Sequence, residues 1–140
     1  MKKLFIAVAG FGAALGFAQA AFAAGSVDSL SAINASGWAC TPSAPNWQGN
    51  VSVIRDDGVV LAVAPANNVR EAAVGAMCGG NSSHGFNLNW PKQVGNPAWW
   101  DNQNHNVHVY FNNPDGSSFE VPGSPVYMCF GAVVGPSRTC

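Results

Sequence analysis

Two pairs of side chains in this 140-residue chain have the types that bind metal ions or transfer protons. His105 and His108 are three residues apart, and on a helix this spacing would place both imidazoles on one face. The pair lies at the start of a predicted strand, however, where residues three apart point to opposite faces. Asp56 and Asp57 precede a glycine in a predicted hairpin turn, where we expect solvated carboxylates. We therefore predict no metal site and no cofactor.

The residues needed for nucleophilic catalysis are not brought together by any motif either. An activated nucleophile requires a base and an orienting group within hydrogen-bonding distance. The sequence contains no Gly-x-Ser-x-Gly, its cysteines are expected to be oxidised, and nothing indicates that its only glutamates, Glu71 and Glu120, meet. The sequence therefore predicts no catalytic residues, and we expect that the protein is not an enzyme.

The clearest binding chemistry lies in the segment NWPKQVGNPAWWDNQNHN, which places three tryptophans among polar residues, glycine and proline. Trp99 and Trp100 are adjacent and cannot both face the same side of a core, so one ring could be exposed. An exposed indole can stack on a sugar while neighbouring polar groups hydrogen-bond its hydroxyls. The candidate ligand-binding residues are Trp99, Trp100, Asp101 and Asn102. The alternative is that both rings cap an open end of the domain.

The N-terminus has the organisation of a secretory signal peptide. Two lysines precede an uncharged apolar run from Leu4, and Ala-Phe-Ala, ending at Ala23, supplies the small residues of a cleavage site. The run is about as long as a spanning helix of roughly 20 residues, but it is rich in Ala and Gly and no basic cluster follows it. We predict a signal peptide over 1–23 and one exported domain over 24–140, secreted or periplasmic, without membrane contact after cleavage.

The composition of the remaining chain bears on its partners and its redox environment. Without the two N-terminal lysines, four basic residues remain against seven acidic ones, a formal charge of −3. A weakly acidic surface repels phosphate backbones, so we do not expect nucleic acid as a partner. An even number of cysteines in an exported chain predicts two disulfides. Their positions, which alone leave three pairings open, are Cys40, Cys78, Cys129 and Cys140.

Two turn sequences predict β-hairpins. Asp56-Asp57-Gly58 lies between β-branched runs, and Pro114-Asp115-Gly116 lies between the runs 107–111 and 118–121. In the strand 107–111 the two-residue period places the odd-numbered residues on one face and His108 with Tyr110 on the other. The same reasoning buries Phe86, Leu88 and Trp90 together, and Trp38 beside Cys40.

Two further segments have other patterns. The run PVYMCFGAVVG, residues 125–135, is apolar at consecutive positions and predicts a central strand that is covered on both faces. Residues 67–80 suggest one short helix, capped by Asn68 and stopped by the glycines at 79 and 80. Short strands with Gly and Pro at their junctions predict an all-β fold, a single antiparallel sandwich that is immunoglobulin-like or jelly-roll-like. A barrel is the alternative.

Several ordered blocks resemble a β-sandwich module that recurs in secreted bacterial proteins. They are GWACTPSAPNWQGNVSVIRDDG, APANNVREAAV, CGGNSSHGFNLNWP and HNVHVYFNNPDGS, and the likeness runs from Gly37 to about Ser118. The module has the order G-W-A-C-D-P, A-N-x-x-R, H-G-F and H-x-V-x-V-Y. The chain departs from it in having Thr41 at the Asp position and in the insertion QVGNPAWWDNQN. The resemblance implies a β-sandwich and an accessory, non-catalytic role in an exported protein.

The resemblance also suggests how the cysteines pair. In the module the Cys after Gly-Trp-Ala and the Cys before His-Gly-Phe look like partners, which implies Cys40–Cys78 and leaves Cys129–Cys140 to hold the tail. The competing arrangement, Cys40–Cys129 with Cys78–Cys140, is similar to the inter-sheet disulfide of immunoglobulin domains. For function, we expect an exported binding module whose partner is a glycan bound by the Trp-rich loop. The alternative is a small structural protein that binds another protein.

Overall fold

The computed structural model describes residues 22–90, 99–131 and 140, and there it forms two antiparallel sheets packed face to face. Its strands and its helix are β1 (Ala24–Leu30), β2 (Asn34–Cys40), β3 (Asn50–Arg55), β4 (Val60–Pro65), β5 (Asn68–Val69), α1 (Ala72–Met77), β6 (Ser83–Asn89), β7 (Asn104–Asn112), β8 (Ser118–Glu120) and β9 (Val126–Cys129). The predicted sandwich is confirmed. The predicted signal peptide lies outside the described residues, apart from its last two.

Each sheet is built around long central strands. One sheet has the order β1-β2-β6-β5, and the other has the order β4-β3-β7-β8 with β9 also paired to β7. β7 is nine residues long, so β9 pairs with its first half and β8 with its last three residues. The predicted alternation holds, because the buried residues facing the other sheet are Val51, Val53, Phe86, Leu88, Val107, Val109 and Phe111.

Both predicted hairpins are present. β3 and β4 pair through the turn that contains Gly58, and β7 and β8 pair through the turn that contains Gly116. The two glycines have φ values of 87° and 85°, a conformation that strains residues with a Cβ atom. These turns therefore follow from the local sequence alone.

Two predicted elements differ from the structure. The final apolar run was expected to be a central strand, but among the described residues β9 pairs only with β7, and Tyr127 is 67% exposed. The four residues of β9 are partly buried apart from the exposed Tyr127, so apolar content alone does not place this strand at the centre of the sheet. The helix is as short as predicted but begins later, because Asn68 pairs with β6 instead of capping it. Glu71 occupies the N-cap without a side-chain hydrogen bond.

The disulfides are Cys40–Cys78 and Cys129–Cys140, as the resemblance implied. Trp38 and Cys40 are buried with Val74 and Cys78 in a cluster of their own, separate from the inter-sheet core. The first disulfide therefore fastens α1 to the outer side of β2 and does not bridge the two sheets. Two structural disulfides indicate an oxidising environment. Within the described residues, no helix is long and apolar enough to span a bilayer.

Candidate functional site

Two charged side chains point into the sandwich at one end of the five-stranded sheet. Arg55 continues the inward-facing series of Val51 and Val53 on β3, and His105 continues that of Val107 on β7. Arg55 is only 2% exposed and His105 is also buried. The pairing of Arg55 with Val107 brings the two strand ends side by side. A buried cation is stable only when it is paired and hydrogen-bonded, so its partners define the site.

All three nitrogen atoms of the Arg55 guanidinium group donate hydrogen bonds. Its Nε donates to Asp57 at 3.0 Å and its Nη2 donates to the same carboxylate. Nη2 also donates to Asp101 at 3.1 Å, and Nη1 donates to the backbone carbonyl of Trp99 at 2.8 Å. The guanidinium carbon lies 4.8 Å from the centre of the Phe130 ring, within the range of a cation–π contact. Arg55 thus joins the β3–β4 turn to the loop before β7.

His105 makes a second bridge between the same segments. Its Nδ1 lies 2.8 Å from Asp56 Oδ1, and its Nε2 lies 2.8 Å from Asp101 Oδ2. Carboxylates only accept hydrogen bonds, so both contacts form only when the ring carries a proton on each nitrogen. The geometry therefore assigns His105 as an imidazolium. We call Arg55, Asp56, Asp57, Asp101 and His105 the charged end.

The pKa values agree with this charge assignment. The hydrogen bond from Arg55 lowers the pKa of Asp57 to about 2. The backbone N–H of Asn106, together with His105, lowers the pKa of Asp56. Burial disfavours the charge on Asp101, but hydrogen bonds from His105 and from the backbone of Gln103 hold its pKa below the ordinary value.

Burial also disfavours a charge on His105, and the cation of Arg55 opposes it further. The hydrogen bonds to Asp56 and Asp101 outweigh both effects and raise the pKa of the ring above its ordinary value. Three carboxylates thus surround two cations, and the charged end has one negative charge in excess.

The predicted ligand-binding loop is attached directly to this cluster. Trp100 is 6% exposed and packs on Phe130, with ring centroids 5.6 Å apart. Trp99 is partly buried and contacts the edge of the core, while Asp101 binds Arg55 and His105. Asn102 is exposed, with a φ of 61°, and its backbone N–H donates to the Phe130 carbonyl at 3.0 Å. The structure therefore gives the two indoles different environments.

Asp56, Asp57 and His105 also have the composition of a cation site, since one potential ligand atom from each lies within 4.8 Å of the others. The atoms involved are already engaged, however. Arg55 binds the Asp57 carboxylate, and the protonated ring of His105 offers no lone pair to a metal. The geometry favours an internal ion-pair network at this place.

The other two histidines have separate roles. His84 is fully buried and its Nε2 lies 2.8 Å from the carbonyl of Pro45. His108 lies on the outer face of β7, opposite in direction to His105, as the strand period predicts. Its Nδ1 lies 2.7 Å from Glu120, and its ring stacks on Tyr110.

Sequence reasoning missed Arg55 and the role of the two aspartates beside it. Asp56 and Asp57 do form the hairpin turn, but they also bind His105 and Arg55. The available signal was strand parity, because Arg55 and His105 each occupy an inward position next to buried valines. No protein-family model, no curated protein and no solved structure matches this chain. Its function therefore has to be inferred from the geometry.

Proposed function

We propose that the chain is a non-catalytic, exported bacterial binding protein whose ligand is a carbohydrate, bound at the loop from Trp99 to Asn102. The observation that carries this proposal is the way the loop is held. The buried cation of Arg55 binds the Trp99 carbonyl and the Asp101 carboxylate, while the Trp99 side chain remains partly accessible. A loop that is ordered before binding loses little conformational entropy when a ligand arrives.

The two tryptophans then have different tasks. Trp100 anchors the loop in the core, and Trp99 presents the part of its indole that the core leaves uncovered for contact with a pyranose ring. Arg55, which binds the Trp99 carbonyl, also binds Asp57. The side chains of Asp56 and Asp57 are 39% and 37% exposed. Each carboxylate oxygen has more than one lone pair, so the oxygens that bind Arg55 and His105 can still accept hydrogen bonds from sugar hydroxyls. The same end therefore supplies both parts of a sugar site.

The histidine contacts bear on catalysis, and the disulfides and the N-terminus bear on export. The hydrogen bonds of the three histidines go to carboxylate or carbonyl oxygens, and within the described residues none goes to a Ser, Thr or Cys side chain, the contact that activates a nucleophile. The predicted signal peptide, the resemblance to a secreted bacterial module and the two disulfides support export. Expression of the full chain in a bacterium, followed by fractionation and N-terminal sequencing, tests this part. Processing near Ala24 supports it, and retention of the whole chain in the cytoplasm contradicts it.

Affinity electrophoresis through gels that contain soluble polysaccharides tests the binding site. We expect retardation by at least one of xylan, mixed-linkage glucan, galactomannan or pectin, and loss of that retardation in Trp99→Ala. Ile33→Ala, which removes another exposed apolar side chain, is the matched control and should bind normally. Trp100→Phe keeps an aromatic anchor and should retain binding. Equal retardation of the wild type and Trp99→Ala would place the ligand elsewhere.

A second candidate function is supported by one edge of the five-stranded sheet. β4 is an edge strand, and Val60 and Val63 are 49% and 53% exposed on it. An exposed apolar edge can bind an extended segment of another protein by adding a strand. Val63→Lys would disrupt this contact without touching the charged end. A reproducible protein partner that Val63→Lys no longer binds, together with no retardation on any glycan, would favour this function.

A further inference from the structure

The most exposed tryptophan of the described chain lies at the other end of the sandwich. Trp47 is 41% exposed, and its indole N–H donates to the backbone carbonyl of Asn112 at 2.9 Å. Gly49 makes room for this arrangement, because a Cβ atom there would lie 2.7 Å from the indole nitrogen and 2.1 Å from the Asn112 oxygen. The polar edge of the ring is therefore fixed against the protein while much of its surface faces solvent.

The segment that carries Trp47 is held by several independent contacts. The backbone N–H of Trp47 donates to the Ala44 carbonyl at 2.9 Å, which closes a turn. The carbonyl of Pro45 lies 2.9 Å from Asn81 Nδ2 and 2.8 Å from His84 Nε2. Cys40, which directly precedes this segment, is fixed by its disulfide to Cys78. An aromatic ring held this firmly is pre-ordered for stacking, and little entropy is lost when a ligand covers it.

The chain segment that carries Trp47 is uncharged and largely polar. Residues 41–50 contain no ionisable side chain, and we call this segment, together with Asn112, the neutral end. Asn46 and Gln48, its neighbours in the chain, and Asn112, its hydrogen-bond partner, are all exposed. Carboxamides both donate and accept hydrogen bonds, as sugar hydroxyls do, so these side chains suit a saccharide.

From these contacts we propose that Trp47 is a second saccharide-binding platform, specific for an uncharged sugar. This inference rests on the proposed carbohydrate-binding function and extends it to a second site. The six residues of β3 separate the two ends of the sandwich by about 20 Å at the usual rise of a strand. The two platforms therefore act as separate sites, and a long polysaccharide could occupy both or be cross-linked by them.

Indole N–H signals in ¹⁵N–¹H correlation spectra of the folded, oxidised chain test the proposal directly. The signals of Trp47 and Trp99 are assigned from their disappearance in Trp47→Phe and Trp99→Phe. The probes are cellohexaose, xylohexaose, mannohexaose and maltohexaose, which are all uncharged. We expect the Trp47 signal to shift in a saturable manner with at least one of them, and Trp47→Ala to abolish the binding at this end.

The possible results separate the two proposals. Shifts at both Trp47 and Trp99 support two sites, and a shift at Trp47 alone supports this inference while refuting the loop. A shift at Trp99 alone overturns the second platform but leaves the proposed function standing, and no shift with any probe overturns the inference. Protein partners captured by the wild type but not by Trp47→Ala, without any shift from sugars, would also overturn it. The matched control is Ile33→Ala, which removes another exposed apolar side chain and lies outside the neutral end.

Discussion

The two ends of the sandwich differ in how far a tryptophan ring is exposed to solvent. At the charged end, Trp100 is buried against Phe130, and the backbone around it is held by a buried arginine with its carboxylates. At the neutral end, Trp47 lies on a glycine with its N–H bound to a backbone carbonyl, and its ring faces solvent. The comparison shows that the partner available to each indole decides its exposure, since both segments are similarly rich in polar residues.

Each end also has its own disulfide, and the two disulfides close loops of different length. Cys40–Cys78 precedes the neutral end and spans 38 residues, and Cys129–Cys140 lies next to Phe130 at the charged end and spans 11. The charged end is stabilised by ion pairs together with the shorter disulfide loop. The neutral end is stabilised by backbone turns together with the longer disulfide loop. The following changes should separate these contributions.

The largest expected effect is the loss of the longer disulfide. In the chain-entropy model, replacement of Cys40 and Cys78 by Ala should lower the free energy of unfolding by about 4 kcal/mol, and replacement of Cys129 and Cys140 by about 3 kcal/mol. The longer closed loop restricts the unfolded chain more strongly. Urea unfolding of both double variants measures the difference. A greater loss at Cys129 and Cys140 would contradict this ranking of the two ends.

Removal of the buried cation should have the next largest effect. Arg55→Met takes the cation away from Asp57 and leaves His105 as the cation bound to Asp101. The change should cost about 3 kcal/mol, at the lower end for buried ion pairs because both carboxylates are partly exposed. Arg70 is the matched control, since it also binds two acids, Asp28 and Glu71, but at the surface. Arg70→Met should cost less than about 1 kcal/mol. Equal losses in urea unfolding would show that burial does not distinguish the two arginines.

The neutral end can be tested at its glycine. Gly49→Ala would place a Cβ atom 2.1 Å from the Asn112 carbonyl oxygen, so the strand or the Trp47 ring must move. We expect a loss of about 2 kcal/mol, typical of overpacking. The accessibility of the indoles to acrylamide quenching should rise as Trp47 is released. A variant with wild-type stability and quenching would show that Gly49 does not fix the ring.

The smallest effect concerns pH. The pKa of His105 is raised in the folded protein above its unfolded value of about 6.5, so its contribution to stability is fully present below that value. The contribution is lost as pH rises through the folded pKa. We expect a decrease of about 1 kcal/mol, since Asp56 is well exposed to solvent.

Urea midpoints measured between pH 5 and pH 9 should show this decrease in the wild type and in His108→Gln, but not in His105→Gln. The groups that face His105 are Arg55, Asp56 and Asp101, from the β3 end and the loop before β7. A slope that persists in His105→Gln would assign the pH dependence to another group.

The sequence by itself determined much of this fold. Turn chemistry at Gly58 and Gly116 fixed two hairpins, and the two-residue period identified the inward residues of β6 and β7. These features depend on backbone conformation and on alternation within a few residues, which local sequence expresses directly. The disulfide pairing was correct as well, but it followed from a resemblance and not from spacing.

Only the tertiary structure decided the site. Arg55 and Asp101 are 46 residues apart, and Asp56 and His105 are 49 apart, so no local pattern indicates that they meet. Likewise, the burial of Trp100 depends on Phe130, and the orientation of Trp47 depends on the carbonyl of Asn112. Side-chain periodicity states which way a residue points, whereas the partner it finds there depends on which strands become neighbours, and that is set by the packing of the whole chain.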